Sequence, residues 1–129
     1  MKITGISYPT SINGISNPFN GNTDVFVELE DGTTYTLVAI TPQNIETYMS
    51  NEGISFVPAG PPFVIVKSIA DENIRVAIES YAEEDAYWLK VYHLAGTREQ
   101  AFDPEVLDKM IQEQKRSNEQ LLHESDYQE

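Results

Sequence analysis

Cysteine is absent from this chain. That excludes disulfides, thiolate nucleophiles and Cys-ligated metal sites together, and it suits a reducing compartment. Histidine is nearly absent: only His93 and His123 occur, too far apart in sequence for a metal-binding pair. Neither HExxH nor HxH is present, which argues against a zinc site. His93 is left as the one histidine to weigh as a general base, against a plainer reading as a partly exposed imidazole beside aromatics. Basic residues are scarce as well, 8 Lys and Arg against 21 Asp and Glu, for a net charge of −13. Such a surface repels nucleic acid and anionic membranes and attracts basic partners, although acidity also serves solubility alone. No apolar run approaches the ~18 residues of a membrane span, and Met1-Lys2-Ile3-Thr4-Gly5 contains no apolar signal core. A soluble cytoplasmic protein is expected. A Walker-type phosphate loop, a GxSxG elbow and a dinucleotide fingerprint are all missing. Ala59–Pro62 looks like a phosphate loop only until its missing Lys and its prolines without N–H are counted, and it is better taken as a rigid connector. No catalytic residue, metal ligand set or cofactor is expected, and the chain is not read as an enzyme.

What is present describes one domain, residues 1–129, long enough to bury roughly two-thirds of its unfolded surface without a staple. Lys2–Tyr8 alternates weakly and fits an edge strand. Residues 9–23 are rich in Asn, Ser, Gly and Pro and form a long loop, either a simple connection pinned by Ile12, Ile15 and Phe19 or a contact surface. Asp24–Glu30 and Thr33–Ile40 alternate cleanly about Asp31-Gly32, the signature of a hairpin. Thr41-Pro42 supplies a helix cap and first position, Ile45, Tyr48 and Met49 give an inward stripe, and Gly53 gives a stop. A short extended piece at Ile54–Val57 and a stiff Pro58–Pro62 connector follow. Phe63–Val66 fits a strand buried on both faces. Ala70, Ile74, Ala77, Ile78 and Tyr81 form one stripe of a helix from about Ala70 to Ala82.

That helix is expected to stop before or within Glu83-Glu84-Asp85, because anions oppose the dipole at its C-terminal end. Ala86–Leu94 then has β character, with Tyr87, Leu89, Val91 and His93 on one face and Trp88, Lys90, Tyr92 and Leu94 on the other. Ala95–Ala101 is a loop. Asp103-Pro104 opens a last helix with Val106, Leu107, Met110 and Ile111 as its apolar patch; residues 112–120 are wholly polar, and 124–129 are expected to fray. The fold class expected is α+β, a single domain with a mixed or mostly antiparallel sheet of about five strands and three helices.

The acidic triplet lacks the alternating ligands and glycine of a calcium loop. It fits a charged turn or a protein-contact patch better than a metal site. Tyr81, Tyr87, Trp88 and Tyr92 crowd around it, and Tyr and Trp beside carboxylates are favoured interface anchors, though alternate members of a strand also serve as core. The candidate partner-binding residues are Glu79, Tyr81, Glu83, Glu84, Asp85 and Tyr87.

The hairpin DVFVELEDGTTYTLVAI, the helix start TPQNIETYM and the unit FVIVKSIADENIRVAIESYAEEDAYWLKVYHL give residues 24–94 a pattern that resembles the small acidic immunity proteins of bacterial toxin–immunity systems. The resemblance is one of style and carries over no functional residue. It implies a cytoplasmic protein without catalysis, which binds and blocks a co-produced toxin, often a basic nuclease. The alternatives weighed beside it are a scaffold or subunit that homodimerises through its C-terminal helix and a small enzyme using carboxylates and His93.

Overall fold

The computed structural model describes residues 1–97 and 103–127. The chain divides into two compact units, 1–99 and 100–129. The first is an α+β unit. Its strands are β1 (Ile3–Ser7), β2 (Asn22–Leu29), β3 (Thr34–Ile40) and β4 (Val64–Ile65), and its helices are α1 (Pro42–Glu52), α2 (Asp71–Tyr81) and α3 (Glu83–Thr97). The second holds one helix, α4 (Pro104–Tyr127). The described residues thus contain four strands and four α-helices where five and three were expected. The difference is the segment 86–94, which is helical.

The sheet runs β1-β2-β3-β4. The first two pairings are antiparallel, and β3 and β4 are parallel, joined through α1. The hairpin forms as its sequence dictates. Leu29 O accepts from Gly32 N at 2.9 Å, and Gly32 adopts φ 80, so a tight turn passes through a glycine in the left-handed region. In β2 and β3 the alternation sends Val25, Val27, Leu29, Tyr35, Leu37 and Ala39 to one face, where they are buried. Ile74, Ile78 and Ala82 close over that face from α2, Ala86 and Leu89 from α3. The core is therefore a single layer between one face of the sheet and two helices.

Local chemistry sets the helix ends. Thr41 Oγ1 accepts from Asn44 N at 3.3 Å, Pro42 stands at the first helical position, and Gly53 at φ 66 closes the C-terminal end of α1. The α1 stripe is only partly inward: no α1 residue is buried, and Tyr48 is exposed. The strand expected over Phe63–Val66 is reduced to β4; along that run Val64 and Val66 face the core while Phe63 and Ile65 are exposed, so it is buried on one face rather than two. Ile54–Val57 is irregular rather than extended strand. In the loop before β2, Ile12 and Ile15 pack on the core as expected and Phe19 is exposed. Asp103 Oδ1 accepts from Glu105 N at 2.8 Å, capping α4 as its sequence implies. The helix continues to Tyr127, through much of the expected frayed tail; residues 128–129, and 98–101 of the expected loop, lie outside the described residues.

Between α2 and α3 the backbone does something no residue type announces. Glu84, Asp85 and Ala86 adopt φ 53, 59 and 61 with ψ 51, 39 and 31, three consecutive non-glycine residues in left-handed geometry. Each such residue costs roughly 1–2 kcal/mol because Cβ crowds the following carbonyl. The turn folds α3 back so that Ala86 and Leu89 reach the core, both fully buried.

Candidate functional site

The six residues expected to bind a partner lie along the α2–α3 corner. Glu79 is on the last turn of α2, Tyr81 ends that helix, Glu83 precedes the left-handed corner, Glu84 and Asp85 lie in it together with Ala86, and Tyr87 opens the right-handed part of α3. Glu79, Glu83, Glu84 and Asp85 are exposed. One cation answers the cluster directly: Lys90 Nζ donates to Asp85 Oδ2 at 3.2 Å. A shallow depression of about 550 Å³ beside the corner brings Glu79, Glu83 and Glu84 together with Lys2 and Arg75. Arg75 is already held, its Nε donating to Asp71 Oδ2 at 2.6 Å. The acidic corner is therefore flanked, not neutralised.

The aromatic residues are arranged differently from the strand expectation. A strand would send Tyr87 and Trp88 to opposite faces. On the helix they are neighbours, 53% and 50% exposed, with ring centroids 5.1 Å apart in edge-to-face geometry. Trp88 meets Tyr92 at 6.3 Å, and Tyr92 meets Tyr81 at 5.2 Å, both edge-to-face. Four rings thus form a series, Tyr87, Trp88 and Tyr92 on α3 and Tyr81 at the end of α2. Tyr81 is the anchored end of the series: burial, then a hydrogen bond with Tyr92, pushes its hydroxyl up to about 12. Tyr87 and Trp88 are the free end, apolar bodies with polar tips presented beside carboxylates.

His93 is part of the fold. Its Nδ1 accepts from the main-chain N–H of Thr36 at 3.0 Å, and its ring stands edge-on to Tyr35 with centroids 5.0 Å apart. The imidazole thus ties α3 to β3 and answers a backbone donor that β4 is too short to reach. The side chain of His123 lies outside the described ones. Among the described residues, no group of three or more His, Asp or Glu is placed to hold a metal ion, and no helix is long and apolar enough to cross a membrane.

A second polar assembly ties the residue after β1 to α2. Tyr8 Oη donates to Asp71 Oδ1 at 2.6 Å, opposite the Arg75 contact. The Tyr8 hydroxyl, followed by Arg75, holds the Asp71 carboxyl below its ordinary range, while burial first and the hydrogen bond second raise Tyr8.

Sequence reasoning missed one concavity. A groove of about 410 Å³ opens where α1 and the proline-rich connector meet the second face of the sheet, lined by Ile40, Ile45, Tyr48, Val57, Pro58 and Phe63 among others. The available signal was the apolar character of alternate residues in β3 and β4, which faces away from the core. At its polar edge Asn22 Nδ2 donates to Asn44 Oδ1 at 2.8 Å, and Asn44 Nδ2 to Asn20 Oδ1 at 3.0 Å.

Comparison with protein-family models, curated proteins and solved structures finds no match for this chain.

Proposed function

We propose that this chain is a non-catalytic binding protein that engages a basic protein through the α2–α3 corner, and that the partner is a toxin domain which it neutralises. The observation that carries the reading is the juxtaposition of four exposed carboxylates, Glu79, Glu83, Glu84 and Asp85, with the half-exposed Tyr87–Trp88 ring pair. Carboxylates steer a cationic partner at long range. The rings supply apolar area at little rotamer cost once contact is made. The net charge of −13 adds a field of the same sign. The immunity reading takes its partner class from the resemblance of residues 24–94.

Co-purification from the native host identifies the partner, and binding kinetics over a salt series test the contact. Raising salt from about 0.05 to 0.5 M shortens the Debye length from roughly 14 to 4 Å. Association slows steeply and dissociation changes less. Neutralising Glu79, Glu83, Glu84 and Asp85 to Gln or Asn reproduces the loss while the far-UV spectrum stays unchanged. A partner that binds equally fast at both salts, and equally well to the neutralised chain, refutes the acidic corner.

The scaffold reading has its own observation: Val106, Leu107, Met110 and Ile111 are all exposed on α4. It requires self-association that Leu107→Asp with Ile111→Asp abolishes.

A further inference from the structure

The apolar pattern of residues 71–97 does not break where the backbone does. Ile74, Ile78, Ala82, Ala86, Leu89 and His93 follow one another at spacings of four, four, four, three and four. On a single right-handed helix they share one face about 120° wide. The first five are all buried in the bent structure. The corner itself, Ala82-Glu83-Glu84-Asp85-Ala86, contains neither glycine nor proline and is mostly made of good helix formers. Side-chain chemistry therefore favours a continuous helix at the very residues held in left-handed geometry. Three consecutive strained residues without glycine are a joint under tension.

A straight helix over residues 71–97 cannot leave α3 in its present place. Tyr81 and Tyr92 would stand about 16 Å apart along one helix axis at 1.5 Å per residue, whereas across the bend their ring centroids are 5.2 Å apart. Straightening carries Ala86, Leu89 and His93 off the core and leaves their seats open. One surface fits those seats without any new chemistry: the same segment of a second copy. There Ala86 and Leu89 are buried again, and His93 Nδ1 again accepts the Thr36 N–H and stands against Tyr35. Only the strain and the exposed Lys90–Asp85 pair are lost.

We infer that the α2–α3 corner is a domain-swapping hinge, through which two copies exchange α3 and each forms one continuous helix from Asp71 to Thr97. Short hinges under strain favour such exchange. The occupant of the vacated seats is a second copy and not another protein, because the residues that fill them are α3's own. The inference stands independently of the basic partner, and salt separates the two. Two chains of charge −13 repel, so the swapped dimer gains from screening, while binding of a cationic partner weakens.

The full-length protein, held at millimolar concentration in mild urea and returned to buffer, is separated by size-exclusion chromatography with light scattering. A slowly exchanging dimer is expected, its share rising with salt. The double variant Glu84→Gly, Asp85→Gly relaxes the left-handed backbone and weakens the continuous helix at once, so the dimer-to-monomer ratio falls about tenfold or more. Glu84→Ala with Asp85→Ala raises it. A spin-label pair on Glu72→Cys and Leu94→Cys, diluted with unlabelled protein, reads the hinge directly. The intrachain distance in the dimer approaches the ~33 Å of a straight helix and is shorter in the monomer. A chain that stays monomeric throughout, a dimer unaffected by the glycine pair, or a dimer whose label distance equals the monomer's overturns the inference. So does a dimer dissolved by Leu107→Asp and Ile111→Asp, which would belong to α4.

Discussion

Glu84→Gly is expected to stabilise the monomer, and the sign of that effect is the most direct test of the corner. Glu84 is exposed and sits at φ 53, ψ 51. A side chain there carries roughly 1–2 kcal/mol of steric strain that glycine escapes. Glycine loses more backbone freedom on folding, which returns about 0.5–1 kcal/mol. The balance is a gain of about 0.5–1 kcal/mol, or a rise of some 2–6 °C in Tm for a domain of this size. Were Glu84 in an ordinary right-handed helix, the same substitution would lose about 0.5–1 kcal/mol, because glycine is a poor helix residue. The two geometries thus predict opposite signs for one mutation that empties no core site. Urea unfolding followed by circular dichroism, at low concentration where the chain is monomeric, measures it with m held as a check on the unfolded state. Asp85→Gly should act in the same direction but less strongly, because it also removes the exposed contact with Lys90, of the order of 0–1 kcal/mol. A lower midpoint for Glu84→Gly with unchanged m would falsify the left-handed corner and with it the hinge.

Gly32→Val should destabilise by about 1 kcal/mol or more, since a β-branched residue resists φ 80 even though nothing crowds the position; an unchanged urea midpoint would contradict the turn geometry. Leu89→Ala, at a fully buried site, should lose about 2–4 kcal/mol by thermal or urea unfolding; a loss under ~1 kcal/mol would place α3 off the core. Tyr8→Phe should lose about 1 kcal/mol near neutral pH, the lower end for a bond to a charged group because Asp71 is partly exposed. The folded Asp71 carboxyl is held below its unfolded value, so its contribution is complete above about pH 4 and lost as pH falls through the folded pKa. Wild type and Tyr8→Phe should therefore converge in acid, and a constant difference down to the acid limit would remove Asp71 from the account.

The parts of the fold legible in the sequence are those where one residue type has one physical use. Asp31-Gly32 between alternating runs could only be a tight turn, and Gly32 adopts the expected positive φ. Thr41-Pro42 and Gly53 bracket α1 because a capping hydroxyl, a missing N–H and a left-handed terminus each suit one end of a helix. The segment 86–94 was not legible. Tyr, Trp and Val there fit a pleated surface as well as a helix, and β preference depends on what lies opposite. The triplet Glu83-Glu84-Asp85 was rightly opposed to the end of α2, which stops at Tyr81. What sequence reasoning lacked was a use for the same anions at the start of the next helix, where the dipole welcomes them. The candidate residues lie together on one corner because charge and aromatics concentrate in that stretch whatever the backbone does. Their arrangement was not, because Tyr87 and Trp88 are neighbours on a helix and opposites on a strand. In β4 the opposite difficulty applied: Phe63 and Ile65 alternate with Val64 and Val66, but an all-apolar run hides the alternation.

The bend persists only because what it buries nearly matches what it strains. Three left-handed residues store about 3–6 kcal/mol. Against that, seating Leu89 contributes about 1.5–3 kcal/mol, and the Thr36–His93 bond about 0.5–1.5 kcal/mol. The burial of Ala86 and the Tyr35–His93 ring contact add smaller amounts. The two sides agree within a few kcal/mol, so neither a rigid corner nor a freely straightening one is the natural description. A second copy changes the comparison decisively, because it restores every burial term and removes the strain. What opposes exchange is the loss of independent motion on association and the mutual repulsion of two acidic chains, both of which concentration and salt can shift. The same carboxylates that are proposed to draw in a cationic partner thus also hold two copies apart.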